Sequence, residues 1–201
     1  LHLDQSEYRC DECGLQFEVV DGIPSLFLPN QWREPDDITR TVRDFYESTP
    51  FPNYDGFDDV GTLNEKSRKG LFSRLLDDQI PLGSNVLDCG CGTGLNLHLL
   101  KQFGEVYGLD LTLSGLLHAK RRNNGHLTQA TTAHLPFRDC TFDLVTSFDV
   151  LYCLDDETEQ LTLREMFRLL RPNGSAIIHV PAVPLLRGDH SVFAHELRRY
   201  S

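Results

Sequence analysis

The chain has 201 residues, 40% of them hydrophobic and 24% charged, and a formal net charge of −11. That length suits one domain with a small appendage, able to bury roughly two-thirds of the surface its unfolded chain exposes. There is no apolar run of about 18 residues to form a transmembrane helix, and six irregularly spaced cysteines do not make a disulfide scaffold.

Leu1-His2-Leu3-Asp4 has neither the basic start nor the apolar core of a signal peptide, so a reducing, cytoplasmic setting is expected. The lack of an initiating Met predicts that the chain begins inside a longer gene product. Charge is unevenly divided: residues 1–60 hold 14 acidic and 4 basic side chains, residues 61–201 hold 16 and 15. The acidic arm would repel a phosphate backbone, so nucleic acid is not the expected partner. Lys120-Arg121-Arg122 reads as the cationic end of a helix, with a local basic patch as the other reading.

In chain order, residues 1–28 read as a small β unit, with strands at Leu1–Leu3, Glu7–Arg9 and Leu15–Val20 and a turn at Asp21-Gly22. Cys10-Asp11-Glu12-Cys13-Gly14 forms a knuckle whose two thiols could serve a metal. Structural zinc needs four ligands; His2 is a candidate third, and a pair of free thiols in a turn is the plainer reading. Residues 29–38 read as a linker. Thr39–Ser48 is a helix candidate, followed by the aromatic, Pro-rich stretch Phe51-Pro52-Asn53-Tyr54, and Glu65–Gln79 is a second helix candidate.

From residue 85 strands and helices alternate. Strands are expected at Asn85–Asp88, Glu105–Leu109, His126–Ala130, Asp143–Ser147 and Ser175–Val180. Helices are expected at Gly94–Phe103, Ser114–Asn123 and Asp155–Leu170. Such alternation predicts a parallel, doubly wound sheet in an α/β domain over residues 39–201.

The main site signal is Val86-Leu87-Asp88-Cys89-Gly90-Cys91-Gly92-Thr93-Gly94, a glycine loop between a strand and a helix. A dinucleotide fingerprint would place its third glycine at 95, where Leu stands. The G-x-G-x-G form suits a ligand without a pyrophosphate. Cys89 and Cys91 read as small buried fillers rather than a metal site. Gly108-Leu109-Asp110 ends the next strand, where a carboxylate can take both hydroxyls of a ribose.

These residues make the chain resemble class I S-adenosylmethionine (SAM)-dependent methyltransferases of the type 11 kind. Leu135-Pro136-Phe137-Arg138-Asp139, Phe142-Asp143-Leu144-Val145 and Leu169-Leu170-Arg171-Pro172-Asn173-Gly174 match further. The resemblance implies a Rossmann-like sheet with SAM as cofactor. It implies Asp88, Cys89, Gly90, Gly92 and Gly94 around the methionine part, and Asp110 and Leu111 at the ribose. Thr131, Thr132 and Ala133 would lie beside adenine, and Ser147, Phe148 and Asp149 on the sulfonium side. It also implies seven strands, so the last two are expected beyond residue 201. Where many relatives have D-V-L-E-H, this chain reads Asp149-Val150-Leu151-Tyr152-Cys153. Separately, Tyr8–Gly14 and Val20–Pro24 resemble the second half of Trm112-like zinc ribbons. That resemblance implies structural zinc held in part by Cys10 and Cys13, with the other half upstream.

Methyl transfer is mainly a matter of aligning nucleophile, methyl and sulfur, and a base helps only a nucleophile that must lose a proton. The candidates are Tyr152, His190 and His195, while Tyr46 and Tyr54 on the arm are candidates to cover the cofactor. Three functions remain open at this point. The first is a small-molecule methyltransferase whose arm is structural or recruits a protein partner or a second copy. The others are an rRNA or tRNA methyltransferase and a non-catalytic SAM-fold scaffold.

Overall fold

A computed structural model describes residues 2–4, 7–11, 14–27, 38–51, 61–62, 65, 79–122, 125–182 and 196–200. Cys13, Tyr54, His190, His195, nearly all of the expected linker and most of the expected Glu65–Gln79 helix lie outside them.

The N-terminal unit is an antiparallel sheet of β1 (His2–Asp4), β2 (Glu7–Arg9), β3 (Gln16–Val20) and β4 (Ile23–Pro24), in that order. Asp21 turns the chain between β3 and β4 at φ 50°, a left-handed conformation that Asp tolerates better than most residues. After this unit comes helix α1 (Ile38–Ser48).

The main body is a five-stranded sheet of β5 (Ser84–Cys89), β6 (Gly104–Asp110), β7 (His126–Gln129), β8 (Phe142–Phe148) and β9 (Leu170–His179). Its order is β7-β6-β5-β8-β9 and every pair is parallel. The central strands β5 and β8 are buried along nearly their whole length, as expected of a parallel sheet covered on both faces, whereas the edge strand β9 is largely exposed. Successive side chains point to opposite faces, so Val86 and Leu144 join one core and Leu87 and Val145 the other. The first core takes Leu97 and Leu100 from α2 (Leu95–Leu100) and Leu116 and Ala119 from α3 (Leu113–Arg122). The second takes Met166 and Leu169 from α4 (Asp156–Leu169). Asp155 caps α4 by accepting from Thr158 N at 2.8 Å.

Two features depart from the expected layout. Arg171–Gly174, read as the stop after the last helix, is threaded into β9 as a wide bulge: Phe142 pairs with Leu170, and Leu144 with Ser175. The Arg171 guanidinium, at 2.9 Å from both oxygens of Asp143, holds the bulge, with Asn173 left-handed at φ 68°. The N-terminal unit is also not separate. Ile23, 2% exposed, belongs to the first core of the main sheet. Beside it, Leu26 N donates to Gln129 O at 2.8 Å, Ser25 bridges to Gln129, and Lys120 Nζ donates to Asp21 O. The unit therefore covers the β7 edge of the sheet, which would otherwise be open.

Candidate functional site

Strand order reverses between β5 and β8, and a crevice forms outside the carboxyl ends of strands at such a switch point. The cavity found there has a volume of about 320 Å³, the size of small-molecule sites. Its floor is the glycine loop. Gly90 N and Cys91 N donate to Leu109 O at 2.7 and 3.0 Å, and Gly92 N donates to Asp110 Oδ2 at 2.8 Å. Gly90 has φ 81°, and a Cβ there would overlap Val150 Cγ2, so only glycine lets the loop and the 149–150 segment approach this closely.

Asp110 is tied into this floor. Its Oδ1 accepts from Thr112 N at 2.8 Å and from Thr112 Oγ1 at 2.7 Å. Together with a bond from the Leu111 backbone, these contacts take up about as many acceptor directions as a carboxylate has. Burial pushes its pKa up, and the bonds from Thr112, Gly92 and Leu111 oppose the shift.

Of the expected cofactor residues, Gly90, Gly92, Asp110, Leu111, Thr131, Thr132 and Phe148 line the cavity. Asp88, Cys89, Gly94, Ala133 and Ser147 do not. Asp88 lies beneath the loop, 1% exposed, where Thr146 Oγ1 donates to its Oδ1 at 2.8 Å; Cys89 is fully buried in the second core. Gly94, at φ 79°, serves as the N-cap of α2, and Ser147 and Ala133 are packed under the surface. Asp88 Oδ2 and Ser147 Oγ, at the ends of adjacent strands, are buried with no hydrogen-bond partner among the described residues.

The wall opposite the loop comes from far away in sequence. Val42, Arg43 and Tyr46 of α1, with Phe51 just after it, line the cavity. The arm is docked by Thr93 N donating to Phe51 O at 3.2 Å and by Ser114 N donating to Glu47 Oε1 at 3.1 Å, at the first turn of α3. Arg43 also holds Asp44 at 2.8 Å. Of these wall residues the sequence singled out only Tyr46; an amphipathic helix alone does not say what its apolar face covers.

A short 3-10 turn, Leu151–Cys153, forms the remaining wall with Tyr152 and Cys153. Its outer side is fastened by Leu197 N donating to Tyr152 O at 2.9 Å and by Arg198 Nη2 donating to Leu154 O at 2.8 Å. Tyr46 is hydrogen-bonded to Tyr152, and burial pushes the Tyr46 phenol and the Cys153 thiol each up to about 12. The Tyr152 phenol is raised further, first by burial and then by neighbouring Cys153, Tyr46, Asp149 and Glu196. These shifts keep all three protonated at neutral pH, so Tyr152, one of three base candidates in the sequence, presents a hydroxyl to the cavity.

At Cys10 the backbone makes the tight turn expected of a knuckle, with Gly14 N donating to Cys10 O at 2.9 Å. Among the described residues, however, no group of three or more His, Cys, Asp or Glu side chains could hold a metal. Among the described residues no helix is long and apolar enough to cross a membrane.

A parallel sheet with a glycine loop at its switch point and an acid ending the next strand defines an α/β protein built to hold a nucleoside-bearing ligand. The comparisons narrow this. A methyltransferase-domain family matches residues 87–178. A demethylmenaquinone methyltransferase of Lactiplantibacillus plantarum is 32% identical over 178 residues, covering 75% of this chain and 73% of that protein. The mouse protein described as probable tRNA methyltransferase 9B is 36% identical over 112 residues, 55% of this chain and 24% of that one. A solved Pyrococcus horikoshii protein matches with a TM-score of 0.53 at 26% identity, over 62% of this chain and 63% of that one. The chain spans about half the length of several other curated relatives. It belongs to the class I SAM-dependent methyltransferases.

Proposed function

We propose that this protein transfers the methyl group of SAM to a small-molecule acceptor. The observation that carries the reading is the character of the cavity. Beyond the glycine loop it is walled by Phe51, Phe148, Val42, Leu154 and the protonated pair Tyr46 and Tyr152, and Arg43 is its one cation among the described lining residues. Such a wall suits a compact, largely apolar molecule and offers little to a phosphate backbone, whose recognition depends on several cations. The Lactiplantibacillus relative, named for a small-molecule substrate, points the same way.

The residues present fit SAM. Asp110 lies on the cavity wall, where a ribose hydroxyl can share its oxygens with the loop donors, and Leu111, Thr131 and Thr132 form the wall beside it. When bound, SAM supplies an activated methyl on a good leaving group. The chain's own task is to align the acceptor and exclude water, which α1 and Phe51 do by closing over the loop.

The competing reading is an RNA substrate, favoured by the mouse relative's name. Incubation with methyl-labelled SAM and, in parallel, total RNA and a small-molecule extract separates the two. Label in the small-molecule fraction is expected; label confined to RNA overturns the proposal. SAM binding without transfer to either fraction would mark a non-catalytic scaffold.

A further inference from the structure

Asp149 follows β8, lines the cavity beside Phe148 and Val150, and has φ 58°. A left-handed backbone is uncommon and strained for a residue with a Cβ, so something must hold it. Asp149 N donates to His179 O at 3.0 Å, and Asp149 Oδ1 lies 3.1 Å from His179 Nδ1. Backbone and side chain of one residue thus both engage the last residue of the neighbouring strand.

Among the described residues, the other ionisable groups around the cavity are committed elsewhere. Tyr46 of α1 and Tyr152 and Cys153 of the 3-10 turn face Asp149, and all three are protonated. Glu196, which acts electrostatically on Tyr152 and Cys153, is paired with Arg199 at 2.7 Å. Asp110 is bonded to the glycine loop and Thr112, and Arg43 is a cation. Cys91 is a buried thiol, its pKa raised chiefly by desolvation.

Building on the methyltransferase reading of the cavity, we propose that Asp149, positioned by His179, accepts the proton of the acceptor's nucleophile. The acceptor is then a molecule methylated on an O–H or N–H group. As its oxygen or nitrogen forms a bond to the methyl carbon, the carbon–sulfur bond breaks with its electron pair going to sulfur, and the proton passes to the Asp149–His179 pair. His179 and Asp149 side chains are 53% and 46% exposed, which leaves the pair a route for releasing that proton to solvent. Asp149 is the catalytic residue of the pair and His179 the positioning residue.

The test uses two cofactor analogues whose affinities are compared by calorimetry. S-adenosylhomocysteine lacks the methyl. Sinefungin carries an ammonium-bearing carbon in place of the methylated sulfur, so it presents a positive charge where the methyl would be. A carboxylate at that point should make the protein prefer sinefungin. Asp149→Asn and Asp149→Gly both tolerate a left-handed backbone, so the fold should survive in each.

The expected result is that both variants lose about tenfold of the sinefungin-over-homocysteine preference, the worth of a charged hydrogen bond, with S-adenosylhomocysteine affinity kept. His179→Gln should lose part of it. In the extract assay, Asp149→Asn should transfer methyl about 100-fold more slowly, as expected for loss of a general base. An unchanged preference in both Asp149 variants, or transfer at the wild-type rate, overturns the proposal while leaving the methyltransferase reading intact. Failure of the wild type to bind either analogue overturns both.

Discussion

Thr146 donates its hydroxyl to Oδ1 of Asp88 across the β5–β8 pair at 2.8 Å, while Oδ2 of the same carboxyl is buried with no partner among the described residues. Desolvation therefore wins, and with Asp110 nearby it raises Asp88 to about 7 against the opposing Thr146 bond. The folded state keeps this proton to a higher pH than the unfolded chain, whose Asp releases it near pH 4. The folded form binds more protons between about pH 4 and 7, so its stability falls as pH rises through that window.

Asp88→Asn removes the titration and keeps an acceptor for Thr146. The variant's stability relative to the parent should rise between pH 5 and pH 8 by up to roughly 3 kcal/mol. Urea unfolding of both proteins at the two pH values checks this. Parallel pH dependence would mean that Asp88 is not the titrating group.

Asp110→Ala strips acceptors from Gly92 N, Thr112 N and Thr112 Oγ1 and removes the carboxylate from the cavity wall. Binding of S-adenosylhomocysteine should weaken by about 1–3 kcal/mol, the usual loss for a hydrogen bond to a charged group. Calorimetry showing the parent's affinity would remove Asp110 from the ligand site.

Gly90→Ala brings a Cβ onto Val150 Cγ2 and adds the strain of a left-handed backbone. Val150 is β-branched and stiff at χ1, so it has little room to turn away. Analogue binding should be lost or severely weakened with the sheet still folded. The double variant Gly90→Ala, Val150→Ala should recover part of it, because it relieves the overlap and not the strain. Equal binding by the single and double variants would show that Val150 does not set the loop's position.

Ile23→Ala opens a cavity in the core shared by the N-terminal unit and the main sheet. It should cost about 2–5 kcal/mol in a single unfolding transition. A second, separate transition would show that the N-terminal unit folds independently of the sheet.

Much of the main body was legible from residues 85 to 180. Apolar runs alternating with helical patterns call for a parallel sheet covered on both faces, and a glycine loop after the first strand has to lie at its carboxyl edge. Asp110 belongs there because its strand pairs with β5 in register, Asp88 opposite Gly108. These are local signals whose meaning depends on a few neighbouring residues, so strand and helix identities carried over with boundary differences of a few residues. The exception is the Arg171–Gly174 stretch, whose turn residues read as a stop; contact of Arg171 Nη1 with both oxygens of Asp143 ties them into the strand instead.

What tertiary structure alone decided are contacts between residues far apart in the chain. Tyr46 meets Tyr152, Phe51 meets Thr93, Ile23 enters the main core, and Asp149 meets His179. No periodicity announces such pairs, because each is set by which strand lies beside which and by where an arm returns to the sheet. The same holds for chemical state. Tyr152 reads in sequence as a base candidate, but it is burial in the folded chain that keeps its phenol protonated, and burial is a property of the packing and not of the residue.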